Sequence, residues 1–186
     1  MLPAAGLDVE GGTNTPPRSA NSRRGEYNAG MTENEWLTCT DPAPMLDHLE
    51  GKVDERTLRR FACGCCRRIW ELLTDERLRE AVTLAEQGLA RRDCLDHLDR
   101  AKGLASAALR NIEEDASEQR WYYVYRYAAE VVCLTMTDDL TVNVVRRVAE
   151  LAKHASSLAR PRDEASHSER EAQAQAELLR DVVDRA

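Results

Sequence analysis

The chain has 186 residues, with 26 basic and 33 acidic side chains and a formal net charge of −7. That length suits one domain with tails. No uncharged run approaches the ~20 residues of a membrane span, the opening MLPAAGLDVEGG lacks the basic start and apolar core of a secretory signal, and the acidic balance argues against a nucleic-acid footprint. With aromatic residues at 5% and a single Phe, a core must be built mostly from Leu, Val and Ala.

Residues 1–30 contain Gly-Gly, Pro-Pro and no apolar periodicity, and their charges cancel. This is the composition of a disordered tail. Met31 then opens the helical sentence MTENEWL, in which Thr32 and Glu35 make a capping box. Residues 1–30 therefore read either as a flexible tail or as an extension ahead of a true start at Met31.

From Thr32 onward the pattern is helical. A short helix ends before Pro42. Asp41-Pro42 caps a second, which Gly51 closes. Asp54 caps a third, to about Leu73, whose stripe is Leu58, Phe61, Ala62, Cys65, Ile69, Leu72 and Leu73. A fourth starts at Thr74-Asp75-Glu76, with Leu78, Val82, Ala85 and Leu89 inward. A fifth spans about Asp93 to Asp115, a sixth about Glu118 to Met136 and a seventh about Asp138 to Arg160. The run LTVNVV (140–145) is strand-like, but its continuation keeps helical spacing. Pro161 precedes a last, polar helix, about Asp163 to Arg185. Its apolar residues gather in the final turns, so residues 161–186 are expected to dock loosely, project or pair with another chain. The fold class is all-α: an irregular bundle of about six to eight helices over 31–160, with a disordered N-terminal tail and that terminal helix.

The most distinctive segment is RTLRRFACGCCRRIW (56–70). On a helix, Cys65 falls in the apolar stripe and Cys66 on its flank. Cys63 points toward Arg56, Arg59, Arg60 and Arg67, and guanidinium groups lower a thiol pKa. Cys63 thus reads as a reactive thiol or as a cysteine on a solvated basic face. Cys63 and Cys66 also have zinc-ligand spacing, with Cys94 and His97 on one face of the fifth helix as a second pair, or Cys39 and His48 as further ligands. Only one C-x-x-C is present, so no metal and no cofactor is expected. Without a signal peptide, six cysteines read as reduced thiols in the cytoplasm.

In the sixth helix, Trp121, Val124, Tyr125, Ala128, Val131 and Val132 share one face, while Tyr123, Tyr127 and Leu134 lie nearly opposite. Trp121 and Trp70 are expected as core anchors. With Arg120 and Arg126, the same aromatics form an alternative base-stacking platform. Glu150 and His154 share a face, but a carboxylate-bridged metal bundle needs several such pairs. No G-x-S-x-G, phosphate-binding loop, G-x-G-x-x-G or H-E-x-x-H is present.

The segments MTENEWL (31–37), DPAPML (41–46), RTLRRFA (56–62), CCRRIW (65–70) and LTDER (73–77), with QAELLRD (175–181) as a second marker, resemble a family of uncharacterised helical proteins of planctomycete bacteria. The resemblance covers somewhat under half the chain and implies no activity. Members continue past the second marker into an F-G-N-P-F-R-P-like segment, whereas this sequence runs to VVDRA. The comparison implies a truncated C-terminal part. The residues together suggest a non-enzymatic helical interaction or scaffold module with a protein partner, or a thiol sensor or small zinc module on Cys63 and Cys66.

Overall fold

The computed structural model describes residues 30–90, 95–114, 120–160 and 164–186. The expectations for a disordered tail and for Cys94 fall largely or wholly outside these residues. Met31–Ala186 is a compact unit. Among the described residues the architecture is all-α, with helices α1 (Glu33–Thr38), α2 (Pro42–Leu49), α3 (Glu55–Arg68), α4 (Glu76–Ala90), α5 (Leu95–Glu114), α6 (Arg120–Thr135), α7 (Val142–Ala159) and α8 (Glu164–Asp184). No strand occurs among them.

Local chemistry starts and stops these helices where the sequence places the signals. The Thr32 hydroxyl accepts from the Glu35 N–H at 3.3 Å, and the Glu35 carboxylate accepts from the Thr32 N–H at 2.8 Å. Asp41 accepts from Ala43 N–H at 3.0 Å with Pro42 opening α2. Gly51, at φ +71°, takes the left-handed turn after it, which a side chain would strain. Asp54 accepts from Thr57 N–H at 2.7 Å. The Thr57 hydroxyl and backbone together hold the Asp54 carboxyl below the usual Asp value. The strand-like LTVNVV becomes the first turn of α7, because the Thr141 hydroxyl accepts from Val144 N–H at 3.4 Å.

Two boundaries differ from the expectation. The third helix stops at Arg68 rather than Leu73, and a 3-10 turn, Trp70–Leu72, follows it. The tighter turn lets both Ile69 and Leu73 enter the core. The seventh helix begins at Val142, four residues past Asp138, which instead pairs with Lys102 of α5.

α6 pairs most extensively with α7, and α4 with α5. α3 runs between them and touches α4, α6, α7 and α8. The core is aliphatic, as the composition requires: Phe61, Leu58, Ile69, Leu73, Leu78, Val82, Val124, Val131, Val145 and Val148 are all buried. On α5 the inward face is Ala101, Ala105 and Ala108, each 0% exposed, which lets neighbouring helices approach closely.

Trp121 corrects the sequence reading. It is 48% exposed and stacks on Tyr125 instead of entering the core. The apolar stripe gives its face correctly, but the core contact on α6 begins one turn later, at Val124. Trp70 is half-buried against the core, with Arg67 4.0 Å and Arg79 5.6 Å over its ring.

Of the alternatives for the terminal helix, the structure bears on projection. α8 is seated against α2, α3 and α7 rather than projecting. Ala176 and Leu179 are buried, and Glu171 and Gln175, polar residues that hydropathy assigns to solvent, are buried beside them. Gly64 of α3 makes room for this helix. A Cβ on Gly64 would stand 2.6 Å from Leu178 Cδ2. Gly64→Ala is therefore expected to trade ~1 kcal/mol of gained helix propensity against ~1–3 kcal/mol of overpacking, for a small net loss. In a Leu178→Ala background the same substitution should stabilise. Urea unfolding of the four proteins measures the coupling, and equal effects in both backgrounds would refute the close approach.

Candidate functional site

The basic, cysteine-rich face of α3 is the site to which the sequence points. Among the described residues it is a set of seams between helices. Cys63 is 2% exposed, and Cys65 and Cys66 are 0% exposed. Burial pushes the Cys63 and Cys65 thiols well above the usual cysteine value and the Cys66 thiol up to about 12. At Cys63 the Arg59 and Arg67 guanidiniums pull the other way, as the sequence suggested, but burial outweighs them. Cys63 therefore lies neither on a solvated basic face nor in an activated setting. Its helix face is covered by α4, and the arginines lie across the seam that covers it.

The arginine contacts show how. Arg67 forks onto Glu86 of α4 at 2.9 and 2.5 Å. Arg56 donates to the Leu89 carbonyl near the α4 C-terminus. Arg68 reaches the other way and forks onto Glu171 of α8 at 2.7 and 2.9 Å. Arg59 is buried, at 6% exposure. It donates to the carbonyls of Thr135 at 2.6 Å and Thr137 at 2.8 Å, and pairs with Glu55 one turn back. It thus caps the C-terminal end of α6, where backbone carbonyls lack intrahelical partners. The sequence reading placed Arg59 on the basic face and missed this role.

The α3 thiols divide between two sides. Cys66 lies 3.5 Å from the Thr135 hydroxyl of α6 and, like Cys63, feels Glu86 of α4, whereas Cys65 feels Glu171 of α8. The zinc reading required Cys63, Cys66, Cys94 and His97. Cys94 lies outside the described residues, and His97 is half-buried on α5. Among the described residues no three His, Cys, Asp or Glu side chains come together to hold a metal ion. The alternative ligands part as well: Cys39 donates to the Asp41 carbonyl at 3.2 Å, and His48 Nδ1 accepts from Met31 N–H at 2.9 Å. The described cysteines, Cys39, Cys63, Cys65, Cys66 and Cys133, are free thiols.

An open depression of about 550 Å³ lies between α3 and α4, lined by Arg56, Arg60, Cys63, Glu86 and Leu89 among others. Of its charged groups, Glu86 takes Arg67 and Arg56 donates to the Leu89 carbonyl. A second depression, about 570 Å³, lies between α6, α7 and the start of α8, with Tyr127, His154, Ser157 and Ser168 on its walls. Nearby, Ser156 and His167 tie α7 to α8 at 2.7 Å. Glu150 and His154 stand 3.8 Å apart on exposed α7 surface, with Lys153 also on Glu150.

The large hydrophobic side chains left exposed among the described residues are Leu37 on α1, at 61%, and an aromatic pair. Trp121 and Tyr123 are 48% and 44% exposed at the start of α6, beside half-buried Tyr122 and Tyr125. Arg120 donates to the Leu158 carbonyl at 2.6 Å, and Arg126 faces Glu113 at 3.9 Å, so both platform arginines have partners within the bundle. Comparisons of the chain with protein-family models, with curated proteins and with solved structures find no match.

Proposed function

We propose that this chain is a non-enzymatic helical interaction module that meets a protein partner through the aromatic start of α6. The observation that carries the reading is the exposure of Trp121 and Tyr123 side by side at the start of one helix. Trp and Tyr supply large contact areas at low entropic cost and dominate binding energy at protein interfaces. Arg56, Arg59, Arg67 and Arg68 of α3 and its buried cysteines support it by elimination, since their chemistry is engaged in holding the bundle's own helices. Among the described residues no helix is long and apolar enough to cross a membrane. Five free thiols fit a reducing compartment such as the cytoplasm.

Trp121→Ala combined with Tyr123→Ala is expected to move stability by no more than ~0.5 kcal/mol, because neither side chain is part of the core. The same variant should lose a discrete protein partner that the wild-type chain retains on affinity capture from its native host. Identical captured sets would sink the reading. Quenching of wild-type tryptophan fluorescence by a single-stranded oligonucleotide, abolished in the variant, would replace it with base stacking.

A further inference from the structure

The seat of α8 has a consequence for one thiol. The side of α3 turned toward α8 carries Phe61, Gly64, Cys65 and Arg68, one stripe at i, i+3, i+4 and i+7. Gly64 meets Leu178, and Arg68 holds Glu171. Cys65 lies between these two contacts in sequence and is fully buried.

What holds α8 down is polar as well as apolar. Arg68 forks onto Glu171, whose side chain is 5% exposed. Gln175 donates to the Ala149 carbonyl at 3.1 Å, while its buried Oε1 has no partner. Arg180 donates to the carbonyls of Trp36, at 3.0 Å, and Cys39. The fully buried apolar side chains of α8 are Ala176 and Leu179, with Leu178, Val182 and Val183 partly buried against the core, whereas α7 buries Val142, Val145, Val148, Leu151 and several alanines. A buried ion pair adds little net stability, and an unmet buried oxygen subtracts from it. Such an interface opens at lower free energy than the whole bundle.

We propose that α8 is a releasable cover over Cys65, and that its departure both bares this thiol and frees Arg68 from Glu171 to stabilise the thiolate one turn away. In the closed bundle, burial and the neighbouring Glu171 carboxylate work against ionisation of Cys65, with Arg68 opposing them. When α8 leaves, Glu171 leaves with it and Arg68 stays, three residues from Cys65. An accessible thiol beside a guanidinium is the setting of a reactive cysteine. Cys63 and Cys66 remain under α4 and α6, so one thiol of the three is switched.

The test labels the full chain with dithiobis-nitrobenzoate and assigns modified cysteines by mass spectrometry. The Cys65 thiolate bonds to one sulfur of the reagent, the other sulfur departs as thionitrobenzoate, and the thiol proton goes to solvent. Glu171→Ala is expected to speed Cys65 labelling at least about tenfold with Cys63 and Cys66 unchanged. Arg180→Ala, which cuts the tie to the α1 carbonyls, should act in the same direction and serves if Glu171→Ala fails to fold. Adding Arg68→Met to the opened variant should keep Cys65 accessible but move the midpoint of its pH–rate profile upward. The proposal is overturned if the three α3 thiols label together, which would be global opening. It is equally overturned if neither variant changes Cys65, or if Arg68→Met leaves the pH profile in place.

Discussion

Arg59→Met is expected to destabilise the bundle by roughly 3–5 kcal/mol, a fall in melting temperature of roughly 6–20 °C for a domain of this size. The guanidinium is buried and charged, and it serves two carbonyls at the end of α6 as well as Glu55. Methionine fills a similar volume but donates nothing. The Thr135 carbonyl, on a fully buried residue, then loses its donor. Arg59→Lys should fall between, because an ammonium cannot reproduce the two-pronged geometry. Arg67→Met, on a partly exposed pair with Glu86, should cost about 1 kcal/mol or less. Thermal unfolding of the three variants decides the matter. Equal losses for Arg59→Met and Arg67→Met would show that burial of Arg59 is not what makes it count.

That contrast also explains which parts of the molecule were legible in the sequence. The helices were, because their signals are local: the Thr32–Glu35 box, Asp41-Pro42, Gly51 and Asp54 act within a few residues, and the 3.6-residue stripes follow directly from them. The burial of Cys65 and Cys66 was legible for the same reason. The solvent side of α3 was not. Periodicity separates arginine from leucine, but it does not reveal that Arg59 finds its acceptors 76 and 78 residues away, or Arg68 its carboxylate 103 residues away. Trp121 fails for a related reason, since a stripe fixes a helix face and not where along the helix the core begins. Hydropathy gives α8 little to bury because it assigns Glu171 and Gln175 to solvent. Its seat depends on polar pairing and on the missing side chain of Gly64, and neither raises hydropathy.

Phe61→Ala is the second large effect, expected at about 3–5 kcal/mol. Phe61 is the chain's single phenylalanine and is 0% exposed. It sits on α3, the helix that touches α4, α6, α7 and α8. Truncation removes most of a ring's transfer free energy and leaves a cavity, which adds about 24 cal/mol for each Å³ that does not collapse. Collapse requires α3 to shift, and α3 is held to the end of α6 by the buried Arg59. A helix tied there relaxes little on that side, so the cavity term is not fully recovered. Phe61→Leu keeps most of the volume and should cost no more than ~1.5 kcal/mol. Urea unfolding with Trp121→Ala as the exposed-aromatic control gives the comparison. A Phe61→Ala loss no larger than that of Trp121→Ala would mean that α3 is not the pivot of the bundle and that its neighbours close over the missing ring.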